Sequence, residues 1–287
     1  MSERWGVACF VGALCLYGTV GWVLSCIDMP SDVVVLCRGA IGCAFVAAVL
    51  LASRRGVDWA AVRANVPWLC VGGLSLGLNW VLLFAAYRAT TVAVATLCNY
   101  MAPIMLILVA PVLLHERRSV PKTACAFVAV FGMVLVSGVL GAGGDGVTVQ
   151  GIGLGLAAAV FSAALVLANK KLCGIPVLER SVVQLAFATA AALPWAVFSG
   201  LGARLNPDAA SVALVVLLGV VHTGVAYCLY FAGLARIGAQ TAAVLGYVEP
   251  VVSVLVSTTV MHEPLSAMGW AGAAVIVIAA AASELLE

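Results

Sequence analysis

Glu249 places a carboxylate inside the apolar run Ala239–Met261, where a charge is costly unless it is neutralised or used. Its neighbour Pro250 has no backbone N–H, so the helix is interrupted there and carbonyl groups are freed to meet a ligand or an ion. A carboxylate so placed can take up a proton and release it when its site opens to water, which makes Glu249 a candidate for coupling or for anchoring a cation. His222 is a second group able to exchange protons with it; the alternative is a hydrogen-bonded structural imidazole. Arg38, one to two turns inside another apolar run, is expected to snorkel toward Asp32 or the lipid headgroups; the alternative is that it holds a substrate carboxylate or gates one mouth.

Polar and aromatic residues recur at helical spacing around these groups. Thr223, Tyr227 and Tyr230 follow i, i+4, i+7, which puts them on one face. Asn79 and Trp80 lead into Phe84 and Tyr87 in the same way, and Thr96, Asn99, Tyr100, Tyr17, Trp22, Ser162 and Asn169 lie in further apolar runs. Of these, Tyr17, Trp22, Asn79, Trp80, Asn99, Tyr100, Ser162, Tyr227 and Tyr230, with Tyr247, His222 and Glu249, are the expected substrate contacts. An aromatic wall beside a carboxylate suits amine-bearing or flat aromatic solutes, each good cation–π contact contributing about 0.5–2 kcal/mol. Trp5, Trp59, Trp68 and Trp270 fit an interfacial belt instead.

The elements that position these groups follow from composition. The 287 residues are 64% hydrophobic and 9% charged, with a mean hydropathy of +1.18, whereas a soluble domain is about a quarter charged. The reading is an all-α integral membrane protein with ten transmembrane helices near Trp5–Ile27, Val33–Ala52, Val66–Tyr87, Thr91–Leu114, Thr123–Leu140, Gly151–Lys170, Val177–Gly200, Ala209–Ala235, Ala239–Met261 and Leu265–Ser283. Almost nothing is left for a module that would bind ATP or nucleic acid. The connections are short apart from Arg54–Asn65 and the Gly-rich Gly141–Gln150. Ten cysteines are scattered without a C-x-x-C pair, so they read as packing residues, and no metal or cofactor is expected. The first run is as long as a span and is expected to remain as an uncleaved helix.

Lys and Arg residues are retained on the cytoplasmic side of a membrane. With the N-terminus inside, that side holds Arg4, Arg54, Arg55, Arg63, Arg117, Arg118, Lys122, Lys170, Lys171, Arg180 and Arg236, against Arg88 and Arg204 opposite. Both termini are therefore expected in the cytoplasm, with the chain in the cell (inner) membrane. Gly73/Gly77, Gly151/Gly155 and Gly269/Ala273 allow close helix contact and fit a monomer or a homodimer.

The second half repeats the first. A shift of 147 residues, 247 against 100, pairs Trp80 with Tyr227, Phe84 with Phe231, Tyr100 with Tyr247, Pro103 with Pro250, His115-Glu116 with His262-Glu263, and Ser119 with Ser266. Five helices per copy is an odd number, so the second copy, 151–287, enters the membrane inverted relative to the first, 1–140, with 141–150 as linker. Pro103 and Pro250 mark matched helix breaks, the sequence pointer to a transporter site. Glu249, by contrast, pairs with the uncharged Ala102.

The repeated pattern of a proline followed thirteen residues later by a glutamate (Pro103 to Glu116, Pro250 to Glu263) resembles EamA-type members of the drug/metabolite transporter superfamily, and the resemblance covers nearly the whole chain. It implies ten helices in two inverted five-helix repeats, a central cavity, and export of amino acids or other metabolites. The expected function is export of a small organic metabolite, an amino acid or an amine-bearing or aromatic solute, by alternating access, coupled to protons. The alternatives are uptake or facilitated diffusion of a quaternary amine such as choline through an aromatic cage and, remotely, an intramembrane enzyme.

Overall fold

The computed structural model describes residues 3–53, 56–90, 92–114, 119–136, 148–198, 208–262 and 267–285, and among them every regular element is a helix. In chain order these are α1 Glu3–Gly18, α2 Val20–Ser25, α3 Ser31–Ala52, α4 Trp59–Ala89, α5 Val92–Asn99, α6 Ala102–Leu113, α7 Val120–Val136, α8 Val149–Lys171, α9 Val177–Phe198 and α10 Ala209–Leu217. A π-helical segment, Leu218–Val225, then leads into α11 Ala226–Leu234, followed by α12 Ala239–Leu245, α13 Val248–Thr259 and α14 Ala267–Leu285. A helix satisfies its own backbone polar groups, which hydrocarbon demands of every element it surrounds. Among the described residues, seven stretches are long and apolar enough to cross a membrane: α1–α2, α3, α4, residues 94–113 (most of α5 with α6), α8, α9, and α10 through α11. Helices α7 and α14 are shorter apolar helices, and α12–α13 is an apolar pair with a break between its halves. Leu51, Leu108, Phe131, Phe198 and Ile278 stand exposed on the outside, as a lipid-facing surface requires.

Local chemistry shifts two of the expected boundaries. The connection Arg54–Asn65 is mostly helix: Asp58 accepts the Ala61 N–H at 2.9 Å as an N-cap, so α4 starts at Trp59. Asn65 then bonds both the N–H and the carbonyl of Cys173 at 2.9 Å and fastens α4 to the turn before α9. Likewise α8 starts at Val149, capped by the Thr148 hydroxyl, which accepts the Gly151 N–H at 3.0 Å. Residues His115, Glu116, Glu263 and 137–147 lie outside the described residues. His262 follows α13 in the left-handed region at φ 57°.

Small residues set the distance between helices. A Cβ on Gly77 would lie 2.4 Å from the Ala188 carbonyl oxygen of α9, and one on Gly233 2.7 Å from the Gly6 carbonyl oxygen of α1. Charged side chains make contacts at both ends of the bundle. At one end, Lys170 bonds the Leu234 and Ile237 carbonyls, Arg180 donates to Phe231 O at 3.3 Å, and Lys122 donates to Thr241 at 2.8 Å. Lys170 thereby supplies a charged donor to carbonyls at and just beyond the C-terminus of α11, and Arg180 adds a second donor to the Phe231 carbonyl, which already accepts the Ala235 N–H at 3.1 Å. At the other end Asp32 pairs with Arg88 at 3.8 Å, and the Asp28 N–H donates to Ser211 at 3.1 Å. There Asp208 caps α10, and hydrogen bonds from Ser211 hold its carboxyl below the usual carboxylate range.

The half-helices α5 and α12 occupy corresponding places in the repeat and pack differently. Helix α12 is buried along its whole length and sits against α6, α7 and α14. Helix α5 packs against α8 and α4, leaving Thr96, Leu97 and Asn99 half-exposed.

Candidate functional site

The interruptions near Pro103 and Pro250 organise the site. Pro103 is the second residue of α6 and Pro250 the third of α13. In a first helical turn the missing N–H of proline leaves no bond unmade. The chain turns just upstream, at Tyr100–Met101 and at Gly246–Tyr247. The two breaks touch: the Tyr247 hydroxyl donates to the Tyr100 carbonyl at 3.2 Å, and the two rings lie 6.5 Å apart. Tyr247 is fully buried, so its ring is structural and holds the two repeats together at their breaks.

Glu249 lies in the first turn of α13, where the unpaired N–H groups of the helix start favour a carboxylate. The Tyr100 hydroxyl is within reach to donate to it, and it lies within electrostatic range of Arg38, Tyr17, Tyr87, Tyr227 and Tyr230. Helix α1 passes close beside it, because Gly18 has no side chain: a Cβ there would lie 2.9 Å from the Glu249 carbonyl oxygen. Glu249 is half-buried.

Arg38 does not snorkel. Asp32 is taken by Arg88, and the Arg38 guanidinium lies 4.7 Å from the centroid of the Trp80 ring, with its Nε buried and unpaired. Trp80 is itself 5% exposed, so the cation is held inward by its face. The glycines Gly39 and Gly42 make room for this: one faces the Trp80 ring edge and Thr189, the other Thr223 and the Gly219 carbonyl. An arginine beside glycines at i+1 and i+4 was the available sequence signal for an inward-facing cation.

His222 and Thr223 belong to the π-helical segment, whose wider turn breaks the regular stripe through Thr223, Tyr227 and Tyr230; such segments recur at functional sites. His222 Nε2 lies 2.9 Å from the Thr19 hydroxyl, which itself lies 2.8 Å from the Leu16 carbonyl. The direction of the Thr19–His222 bond depends on the imidazole tautomer, and the same ring is within hydrogen-bond reach of the Leu217 backbone. The Thr223 hydroxyl oxygen beside it is buried without a partner, whereas the Tyr17 hydroxyl lies within hydrogen-bond reach of Tyr227.

The aromatic residues form a packed chain. Tyr227 meets Tyr17 at 5.2 Å, Trp80 at 6.1 Å and Tyr230 at 6.1 Å, and Tyr230 meets Phe10 at 4.9 Å. Asn79 donates to Asn99 at 2.9 Å and to the Ala158 carbonyl at 2.8 Å, tying α4 to α5 and α8. Ser162 is half-buried one turn further along α8. Trp22, 42% exposed at the end of α2, stands apart from the ring cluster and fits the interfacial belt. Asn169 exchanges hydrogen bonds with Gln184 at 3.1 Å in both directions, and both are buried, so it is a brace between α8 and α9. Two grooves of about 370 and 430 Å³ open on the outer surface between α6 and α7 and between α3 and α9; Glu249 lines neither.

Residues 4–138 and 149–283 both match the EamA-like transporter family. The chain is similar to "Uncharacterized transporter YxxF" of Bacillus subtilis (strain 168), 23% identical over 247 residues that span 86% of this chain and 78% of that protein. A solved protein crystal structure superposes with a TM-score of 0.85 at 24% identity, covering 100% of this chain and 98% of the other, and so shares its fold.

Proposed function

Since the chain belongs to the EamA-like transporter family, we propose that it is a secondary transporter that exports an amino acid or another small amine-bearing or aromatic metabolite by alternating access, in exchange for protons. The observation that carries this reading is Glu249, a half-buried carboxylate in the first turn of α13, facing the Tyr100 hydroxyl and the Arg38 charge. In this reading α7, α14 and the α12–α13 pair complete ten spans, and the two repeats are inverted and rock about the breaks before Pro103 and Pro250. Both termini face the cytoplasm of a cell membrane. Glu249 then alternates between holding a proton and holding the cationic group of the substrate.

The test is flux in proteoliposomes under an imposed pH gradient, with substrates found by a thermal-shift screen of amines, amino acids and aromatic metabolites, since a ligand of the folded state raises its stability. Glu249→Gln is expected to abolish the pH-driven component while the protein still folds. Undiminished pH-driven flux in that variant overturns the coupling role. The quaternary-amine reading is less well supported, because the Trp80 face, the best cation platform of such a cage, is already covered by Arg38.

A further inference from the structure

The half-helices α5 and α12 correspond in the repeat, yet polar bonds tie each of them to a different part of the bundle. At the start of α12, Gln240 Oε1 accepts the Ser119 N–H at 3.2 Å and the Thr241 hydroxyl accepts from Lys122 Nζ at 2.8 Å. Both bonds fasten α12 to the start of α7. Lys170 of α8 donates to the Leu234 and Ile237 carbonyls, at the turn that leads into α12. The shift of 147 residues puts Ala93, Val94, Gly269 and Val23 in the places of Gln240, Thr241, Lys122 and Lys170. None of these four has a polar side chain, so the first copy cannot make the same bonds.

The first copy has tethers that run elsewhere. Asn79 of α4 donates to Asn99 at the end of α5 and to the Ala158 carbonyl of α8. The Thr148 hydroxyl, just before α8, donates to the Ala89 carbonyl just before α5. These bonds keep α5 beside α4 and α8. The counterparts of Asn79 and Asn99 are Ala226 and Gly246, so the second copy lacks this tether in turn. Each set belongs to one copy alone, and both favour one arrangement: α12 docked on α6, α7 and α14, with α5 turned aside onto α4 and α8.

Inverted copies alternate access by taking up each other's arrangement. The repeat therefore describes the exchanged state: α5 docks on α13, α14 and α7, while α12 leaves α7 and turns onto α1 and α11. Val94 then stands beside Gly269, as Thr241 stands beside Lys122 here. We propose that Lys122, Lys170 and Gln240, together with Asn79 and Asn99 in the other copy, form a polar latch that selects the present arrangement and must open before the copies exchange. Discrete packing alternatives of this kind are bistable, so a few bonds suffice to bias them. The latch goes beyond the transport reading and rests on it for the exchange.

The experiment measures backbone hydrogen exchange of α5 and α12 by mass spectrometry in the full-length protein in detergent, because exchange reports local opening. In the wild type α12 is expected to exchange more slowly than α5. Lys122→Met combined with Gln240→Leu should speed exchange in α12 at least tenfold and slow it in α5. Asn79→Ala, which touches only the α5 tether, should produce the same reciprocal change. Bonds with a merely structural role would loosen the helix they hold and leave the other unchanged. Val94→Cys with Gly269→Cys supplies a positive marker: a short bismaleimide, about the reach of a lysine side chain, should join this pair more often when the latch is removed. Melting temperature shows which variants fold, and Thr241→Val is a milder opening of the latch if Lys122→Met with Gln240→Leu does not. Slower exchange in α5 than in α12 of the wild type, loosening of one half-helix alone or of both together, or no gain in cross-linking overturns the proposal. The failures of the two readings are distinguishable. Flux that persists while both half-helices loosen together removes the latch and leaves transport standing. Reciprocal exchange in a protein that moves no solute in proteoliposomes removes the transport reading and leaves the latch.

Discussion

At the scale of single residues, the polar groups of the bundle divide into those that are satisfied and those that are not. Asn169 and Gln184 complete each other's amides between α8 and α9. Gln184→Leu leaves the Asn169 carbonyl oxygen unbonded in a buried place and should destabilise the protein by about 1–3 kcal/mol. Adding Asn169→Leu should recover part of that loss in thermal unfolding, and a double variant less stable than either single one would contradict the pairing. Glu249 was legible from sequence because a carboxylate in a long apolar run stands out against its neighbours. Arg38 was misread because Asp32 looked like its natural partner, whereas Asp32 is taken by Arg88 and the guanidinium finds the Trp80 face. Which of two nearby acids or rings an arginine meets depends on helix rotation, which spacing along one strand of sequence does not encode.

At the scale of elements, apolar run length located the helices well, and cap chemistry explains the disagreements. Asp58 and Thr148 each start a helix inside a stretch that composition alone assigns to a connection. The π-helical segment carrying His222 and Thr223 has no sequence signature, since one extra residue per turn alters neither hydropathy nor charge. The prolines mark the broken helices, while the turns themselves lie just upstream. Helix contact through small residues is open to test. Gly77→Val would drive a side chain into the Ala188 carbonyl, whereas a Cβ at Gly12 meets nothing within 4 Å. The first substitution should lower stability by about 1–3 kcal/mol through overpacking, and Gly12→Ala should leave the melting temperature in detergent essentially unchanged. Equal effects of the two would refute the contact.

At the scale of the whole molecule, the repeat carried most of the architecture, because the paired rare residues at one offset identify two copies. It did not reveal that the copies differ in packing, since side chains that recur can still sit in unequal surroundings. The cytoplasmic termini of the proposed reading are open to a labelling test. Cys26 and Cys173 are both exposed; Cys26 stands at the end of the first expected span and Cys173 just after the sixth. With cytoplasmic termini, a membrane-impermeant maleimide should label Cys26 on intact cells and reach Cys173 only after permeabilisation, each signal vanishing in the matching serine variant. The reverse pattern would invert the orientation. The deep seat of α12 and the looser seat of α5 have a thermodynamic corollary. In the proposed alternating-access cycle, two conformations that exchange these seats would be unequal in energy, and the empty carrier would then rest with one mouth closed. Apparent affinity measured from the closed side is then weakened by the fraction of molecules open to that side, and saturating ligand from either face should erase the difference.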